Sequence, residues 1–599
     1  MSGIAAIINL NQQPVERPQI EVITRAVMHR GRDSEQYFYD KNLAFGHSLN
    51  KLNFQKSPSQ PFDNEGITVL LDGEVFNRKE ILNKLQVKTD LSDSEIIAQA
   101  YQRWQLDFWE HLDGKWAIVI YDKKAERIIS IRDRFAFKPL YFGFINDQFC
   151  LASEIKQFTH LKKWKANLNL ASARYFLAFG RQDHSNNTFF DGVQQLLMGE
   201  YLCFDIKTQQ VDIKPYYDLK KYTPQYIPFE EAKNKYQEII YESINRHLTS
   251  GQQLGTMLSG GLDSTIVTCV LNKLIKEKKD ISIQALSLVL NERSPLDETL
   301  YIDHVKDFAQ LSVNKVVPDF SVFQQDLDEF VYFQDEPVYT DSAFAQYSVF
   351  KRASELGIRQ IFGGTGADAA LAGYTKYMLI YLQQLRHKNP LKTVTELAGF
   401  LKYNGGWALQ HWIKKQRSSQ NGLIDWINPM FIDAKPQGQL NKQPSLYEYS
   451  LEVYLSDATV ALHYDDRNAS AFGIESYFPL YDKKFVELSL QLPDEYKIKN
   501  GKQKYILREA FKDIIPSKIY NRHDKKGFYN PGETWMKQNP DWWVNEMRTI
   551  IMENPRIFNP KLLTVFEDFA RHNKLTVNEG VFWRTFFFGK WQQRFNVSY

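Results

Sequence analysis

The chain has 599 residues, 43% hydrophobic and 24% charged, the ordinary composition of a soluble globular protein with enough apolar material for two large domains or several smaller ones. Lys and Arg total 74 against 71 for Asp and Glu, and this near balance of +3 gives no footing for a general nucleic-acid binder. No segment approaches the length of a membrane span, and the start Met1-Ser2-Gly3-Ile4 has no basic region before its apolar run breaks at Asn9, Asn11 and Gln12, so a cytoplasmic protein without membrane partners is expected.

From residue 1 to about 210 the chain is rich in strands, expected at 5–10, 43–49, 67–76, 116–122, 127–132, 140–144, 148–152 and 201–205, with helices near 21–29 and 94–104. Strands interrupted by two helices read as an α+β domain of stacked sheets. Cys150, Cys203 and Cys269 are too few and too scattered for a disulfide framework or a zinc site, and are expected as small buried hydrophobes. Between about 206 and 230 the chain turns rich in Pro, Tyr and Lys, which marks a linker to a second domain over 211–599.

The second domain opens on an apolar run, a tight loop and a helix: Leu254 to Leu258, then Ser259-Gly260-Gly261-Leu262-Asp263-Ser264, then Ile266, Val267, Val270, Leu271, Leu274 and Ile275 at helical spacing. Such a loop gathers backbone N–H groups and a helix N-terminus around one point, with glycines that let the backbone approach a polyanion and serines that add hydroxyl donors. Its natural ligand is phosphate. No lysine follows the glycines as a Walker A loop requires, and Asp263 stands where a Mg²⁺ ion could be held. A second strand at 281–290 completes a βαβ unit. After the apolar run Gln360-Ile361-Phe362 a glycine-rich turn leads to Asp368, which places this carboxylate at the C-terminal end of a strand, where an α/β sheet builds its site. With Asp263 it can hold Mg²⁺ against triphosphate oxygens.

The phrase Ser259 to Ser264 resembles the S-G-G-x-D-S pyrophosphate loop of the ATP pyrophosphatases, which cleave ATP between the α- and β-phosphates. Further phrases resemble the asparagine synthetase family: His29-Arg30-Gly31, Asp72-Gly73-Glu74-Val75-Phe76-Asn77, Ser92-Asp93-Ser94-Glu95 and Arg132-Asp133-Arg134-Phe135-Ala136-Phe137-Lys138-Pro139-Leu140-Tyr141 in the first half. The second half adds, in family order, Asp335-Glu336-Pro337, Gly363-Gly364-Thr365-Gly366-Ala367-Asp368, Asp465-Asp466-Arg467-Asn468, Ile474-Glu475-Ser476, Phe478-Pro479-Leu480-Tyr481-Asp482 and Arg522-His523-Asp524-Lys525-Lys526-Gly527-Phe528. The resemblance implies an Ntn-hydrolase-like glutaminase sandwich over 1–210 and an α/β ATP-pyrophosphatase domain of the adenine nucleotide α-hydrolase-like type over 211–599, with a helical insert at about 378–450. It implies ATP and Mg²⁺ as cofactors. Leu258, Ser259, Gly260, Gly261, Asp263, Ser264, Ser287, Gly363 and Gly364 are then expected around the nucleotide, with Asp263 and Asp368 on the metal. Lys525 or Lys526 is expected to place a point charge on oxygens of the reacting phosphorus or carbon. Glu475 would either help deprotonate the incoming amine or form a salt bridge with Arg467.

The departures from the family carry the most information. Ser2 stands where the family has a nucleophilic cysteine, Leu49 where it has the arginine that grips the glutamine carboxylate, and Asp72 where it has the oxyanion-hole asparagine. Three coupled losses argue against glutamine hydrolysis, and leave Glu74 and Asp93 as remnants of its amine-side contacts. In the second half the family's Gly-Glu-Gly-x-Asp-Glu reads Gly364-Thr365-Gly366-Ala367-Asp368-Ala369, losing both glutamates. β-Lactam synthetases and lasso-peptide cyclases also vary there and also lack the N-terminal cysteine. The expected activity is therefore AMP-forming amide ligation to an amine already on the substrate, most simply a peptide precursor delivered by a leader-processing protein. An asparagine synthetase fed by free ammonia and a pseudoenzyme scaffold are the other two readings. Trp407, Trp412 and Trp426 beside Lys414, Lys415 and Arg417 offer a contact surface for a peptide, and the aromatic stripe of 581–588 with Trp591 reads as helix core.

Overall fold

The computed structural model describes residues 2–51, 60–248, 251–278, 280–290, 297–417, 426–428, 431, 444–523, 531–572 and 579–599. Strand β1 (Ser2–Asn9) is buried along its whole length, and its side chains divide by parity. Ile4, Ala6 and Ile8 enter a core between two sheets, whereas Ala5 and Ile7 join an outer core, as the two-residue strand period requires. The strands that follow are β2 (Ser34–Asp40), β3 (Leu43–Leu49), β4 (Phe62–Asn64), β5 (Ile67–Val75), β6 (Gly114–Asp122), β7 (Arg127–Arg132), β8 (Tyr141–Ile145), β9 (Gln148–Ala152), β10 (Val193–Gln195), β11 (Glu200–Asp205) and β12 (Val211–Pro215). They form two sheets ordered β10-β8-β9-β1-β3-β2 and β12-β11-β7-β6-β5-β4.

Helices cover the outer faces of both sheets: Ile20 and Ile23 of Arg17–Arg25 pack with Ala5 and Ile7, and Ile96, Ile97 and Tyr101 of Asp93–Trp104 pack with Val69 and Leu71. This helix, sheet, sheet, helix sandwich is the expected Ntn-hydrolase-like layer order. The first helix starts four residues before the expected position, led in by a proline in its first turn. β2 escaped the period-two reading because Ser-Glu-Gln-Tyr-Phe-Tyr-Asp is a half-exposed edge strand with no clean alternation. Two family phrases prove to be scaffolding. Ser92 and Glu95 form a reciprocal capping box, Glu95 N donating to Ser92 Oγ at 3.3 Å and Ser92 N to Glu95 Oε2 at 2.6 Å. Asp133 accepts from the backbone N–H groups of Phe135, Phe137 and Lys138 at 3.0–3.1 Å and so closes the turn after β7.

The second half is built on a parallel sheet of β13 (Gln253–Met257), β14 (Ser282–Leu288), β15 (Val313–Val316), β16 (Gln360–Phe362) and β17 (Glu475–Tyr477), ordered β15-β14-β13-β16-β17. Chain order runs outward from β13 on one side and from β16 on the other, so the loops leaving these two strands diverge and open a crevice at their C-terminal ends. The expected helical insert contains Thr375–Lys388, Pro390–Arg417 and Leu446–Leu455. The side chains of Trp407, Trp412, Lys414, Lys415 and Arg417 lie outside the described ones. The C-terminal helix Glu579–Phe595 buries Phe582, Trp583, Phe586, Phe587, Phe588 and Trp591 as core. Cys150 and Cys269 are buried and Cys203 partly so.

The halves meet across a buried cluster of charges. Arg30, fully buried, donates to Asp72 and Glu154 at 2.8 Å within its own half and to Asp466 of the other half at 2.7 Å. Arg467 reaches back to Glu154 at 3.3 Å, and Lys156 pairs with Asp335 at 2.8 Å. Burial lowers the intrinsic tendency of Arg30 to hold its charge, but the three carboxylates outweigh it and raise its pKa. Removing one partner from such a cluster strands the others without compensation. Arg30→Met is therefore expected to cost about 3–5 kcal/mol, measured as a lower unfolding midpoint in denaturant. An unchanged midpoint would show that the cluster does not hold the halves together.

Candidate functional site

The crevice between β13 and β16 deepens into a cavity of about 390 Å³. On one wall the chain leaves β13 through Ser259 and Gly260 into the helix Leu262–Lys276, whose N-cap is Gly261. Gly260 adopts φ +70°, and a Cβ there would lie 2.8 Å from the Cβ of Tyr301, so the turn needs glycine on both counts. Ser259 Oγ and Ser264 Oγ lie 3.1 Å apart, and Gly261 N donates to Ser259 Oγ at 3.4 Å, which draws the loop into a ring of N–H and hydroxyl groups at the helix start. Arg522 holds the loop from outside, donating to the Gly260 carbonyl at 2.9 Å and to Glu298 while its guanidinium stacks 3.9 Å from the Tyr301 ring.

On the other wall β16 ends in Gly363 and Gly364. A Cβ on Gly364 would lie 2.5 Å from Ser264 N, so this glycine lets the two walls touch. Asp368 follows on the short helix Ala367–Ala370. Asp263 and Asp368, from opposite sides of the crevice, converge on a single ammonium: Lys504 Nζ hydrogen-bonds to Asp263 and lies 2.7 Å from Asp368 Oδ1. Lys504 is 6% exposed and left-handed at φ +54°, at the start of the helix Tyr505–Phe511 that follows a small hairpin, β18 (Ile498–Lys499) and β19 (Lys502–Gln503). Burial alone would lower its pKa, but the two carboxylates outweigh that and raise it, so the ammonium is charged at neutral pH.

Of the residues expected at the site, Leu258, Ser259, Gly261, Asp263, Ser264, Gly363, Gly364 and Asp368 line this one cavity, and Gly260 forms its turn. Ser287 stands behind the wall, its hydroxyl donating to the Leu258 carbonyl at 2.6 Å, so it supports the loop without facing the cavity. Lys525 and Lys526 fall outside the described residues, which stop at His523 on the cavity rim. Glu475 is a correction. It sits at the N-terminal end of β17, the opposite edge of the sheet from the cavity, and pairs with Lys115 and with Lys138 at 2.8 Å from the first half. Burial would raise its carboxyl, but these two ammonium groups hold it well below the usual range, which makes it a poor base. Among the described residues its ion-pair partners are these lysines, and Arg467 pairs instead with Glu154, Asp335 and Asp466.

Lys504 is a site residue that the sequence reading does not single out. The Asn500-Gly501 hairpin turn fixes a rigid entry to the helix behind it, but a lysine carries no mark of burial in sequence. The rest of the cavity is mixed. Met257, Leu258, Leu286 and Leu288 form an apolar shelf, while Tyr339, Tyr374, Tyr464 and Tyr481 line the far side with Thr365 and Ala369.

The first-half site around Ser2 has a different character. Both oxygens of Asp72 are engaged, Oδ1 by Ser2 N at 2.7 Å and Oδ2 by Arg30, and Leu49 is buried beside them on β3, paired with Ser2 across the sheet. Glu74 accepts from Tyr477 of the other half at 3.2 Å, and Asp93 accepts from Val75 N at 2.9 Å and pairs with Arg78. With both oxygens accepting, Asp72 presents no donor to an oxyanion.

Comparison with known proteins agrees with this architecture. Residues 235–562 match the asparagine synthase family and residues 1–217 the glutamine amidotransferase domain family. Asparagine synthetase [glutamine-hydrolyzing] 1 of Bacillus subtilis is 25% identical, covering 92% of this chain and 90% of its own length. Asparagine synthetase B [glutamine-hydrolyzing] of Escherichia coli is 22% identical over 90% of this chain and 83% of its own. Amidase chry2 of Gibberella zeae is 22% identical over 86% of this chain and 85% of its own. With more than half its length matched by the family and a phosphate-type loop facing paired aspartates at the sheet's switch point, the chain belongs to the asparagine synthase family, ATP-dependent carbon–nitrogen ligases that release AMP and pyrophosphate.

Proposed function

We propose that this protein adenylates a substrate carboxylate and closes it onto an amine that the same substrate carries, as a macrolactam-forming cyclase of the lasso-peptide or β-lactam-forming kind, without hydrolysing glutamine. The observation that carries the reading is Asp72, whose oxygens are both committed to Ser2 N and Arg30 at the point where the family needs a donor to an oxyanion. With Ser2 for the thiol and Leu49 for the arginine clamp, no ammonia source remains in the chain. The replacement of the family's two glutamates by Thr365 and Ala369 goes with a changed acceptor, since the far wall offers tyrosines where an aspartate-binding site would offer charge. A peptide precursor, brought by a leader-processing partner, fits an acceptor of this kind.

In this reading ATP lies with its purine on the Met257, Leu258, Leu286 and Leu288 shelf and its phosphates at the Ser259 to Ser264 loop. Asp263 and Asp368 face one another across the crevice with carboxylate oxygens, a set that would hold Mg²⁺, whose charge would stabilise the pyrophosphate leaving group. Lys504 then moves from the carboxylates it neutralises in the free protein toward the oxygens on which charge develops at the α-phosphorus and the acyl carbon. Thr340, Tyr339 and Tyr464 bind and orient the acceptor and exclude water from the acyl group.

Asp263→Asn and Asp368→Asn should each lower ATP–pyrophosphate exchange by about a hundredfold or more, in line with loss of a charge at a catalytic electrostatic centre, and full exchange in either variant would remove that residue from the metal site. Lys504→Met should leave nucleotide binding within a few-fold while kcat falls by two to three orders of magnitude; an effect confined to KM would reduce it to a structural counter-ion.

The nucleophile is tested separately. Glutamine should yield no glutamate, Ser2→Ala should leave ligase turnover unchanged, and mass spectrometry should find a product one water lighter than a substrate bearing both amine and carboxylate, with no ammonia required. The relatives named above favour a second reading, an ammonia-dependent asparagine synthetase. Asparagine formed from aspartate, ammonia and ATP, with no cyclic product from any bifunctional substrate, would establish it in place of the first.

A further inference from the structure

Behind the tyrosine wall lies a second set of chemically capable groups. Asp183 belongs to the first half, at φ +54° in the segment after the helix Leu170–Phe179. Glu336 follows the helix Phe320–Gln334, and His463 lies on the helix Asp457–Ala471. They are 8%, 2% and 5% exposed, and one ligand atom from each lies within 4.8 Å of the others. His463 Nδ1 is 2.8 Å from Asp183 Oδ2.

The charges here do not balance. Asp183 Oδ1 accepts from Gln195 Nε2 at 3.0 Å and Glu336 Oε1 from Phe189 N at 2.8 Å, both neutral donors. Arg132, which acts on Asp183 from a distance, spends its own donors on the carbonyls of Lys138, Ala136 and Leu196 and on Gln195 Oε1. Two buried carboxylates thus share one imidazole, an arrangement that burial makes costly unless a proton or a metal cation joins it. At 2.8 Å from a carboxylate oxygen His463 Nδ1 carries the ring proton in the free protein, while Nε2 is buried without a hydrogen-bond partner, so a metal ion bound at Nδ1 would take the place of that proton. The surrounding chain is well anchored: Tyr464 donates to Gln182 Oε1 at 2.9 Å, joining the neighbours of His463 and Asp183 across the two halves.

We infer that Asp183, Glu336 and His463 bind one divalent transition-metal ion that clamps the first half to the second. One imidazole with two carboxylates suits Zn²⁺, Mn²⁺, Fe²⁺ or Co²⁺ and disfavours Mg²⁺, which prefers oxygen and water. Glu336 leads within three residues to Tyr339, and His463 adjoins Tyr464, so the ion would also brace the tyrosine wall of the cavity. This would give the first half a use that does not depend on glutamine chemistry.

The test uses the full chain on an Asp368→Asn background, which weakens metal binding in the main cavity. After stripping with a chelator and dialysis, Zn²⁺ and, in a separate sample, Co²⁺ are added, and bound metal is measured by mass spectrometry after gel filtration. One retained equivalent is expected, with Co²⁺ giving visible ligand-field bands and either ion raising the unfolding midpoint. Glu336→Gln and His463→Gln should each weaken retention at least about tenfold. Should a variant not fold, the ligand-field bands on the unmutated triad and their loss on chelation stand as the readout. No retained equivalent, or equal retention in folded Glu336→Gln and His463→Gln, would overturn the inference.

Discussion

The active crevice depends on two aspartates being brought face to face, and this is possible only because a lysine is placed between them. Asp263 starts the helix after β13 and Asp368 the helix after β16. Two carboxylates converging in a buried crevice would repel each other and lose hydration. Lys504 meets both, so the protein can hold the carboxylates in position before any ligand arrives. The geometry around them follows the same need: Gly364 admits the backbone of one wall against the helix start of the other, and Gly260 turns the loop back beneath Tyr301. Under the proposed reading the ammonium is therefore a placeholder as well as a reagent. It occupies the place where positive charge belongs, at a point from which it can move a short way to new negative charge.

A similar logic keeps the first half attached. Whatever chemistry it retains, Arg30, Lys138, Lys115 and Glu154 of this half reach Asp466, Glu475 and Arg467 of the second half. These pairs are buried, so each depends on the other half for neutralisation. Deleting the first half would expose Glu475 and Asp466 without their partners and strip the back of β17. Under the proposed reading, a domain can in this way lose its chemistry and remain required as the counter-charge of its neighbour. Glu475 shows the cost of reading such residues from one half alone: beside Arg467 in sequence it suggests a local pair or a base, whereas its true partners are more than three hundred residues away.

The two-domain architecture, the parallel sheet and the loop with its facing aspartate could be read in the chain because each rests on short-range signals. Gly260-Gly261 sets the turn, Ile266 to Ile275 the helix, and Gln360-Ile361-Phe362 before glycines the second strand end. The edge strand Ser34–Asp40 could not be read, since an edge with water on one side loses the alternation that marks an inner strand. Lys504 could not be read for a different reason. Lysine is usually exposed, and only the three-dimensional convergence of Asp263 and Asp368 makes a buried one stable. Ser287 carries the reverse lesson: a serine on the right strand at the right height turns its hydroxyl to the Leu258 carbonyl, a choice set by packing rather than by spacing.

The proposed acceptor follows from what these constraints leave over. Every carboxylate among the described residues lining the cavity is already engaged, since Asp263 and Asp368 share Lys504 and Glu298 holds Arg522. Thr365 and Ala369 add no further charge, so under the proposed reading the acceptor amine is positioned by the tyrosines, while Lys504, Arg508 and Arg522 are the cations among the other lining residues. Under the proposed reading the substrate must supply its own proximity. Tethering amine and carboxylate in one molecule can contribute about 7–11 kcal/mol toward the barrier when the reacting atoms are well placed. A wall of tyrosines can supply that placement, because aromatic faces hold a folded chain over a large contact area without fixing its charge. The requirement on the protein then shifts from recognising ammonia to holding one conformation of a substrate long enough for its own amine to reach the acyl carbon.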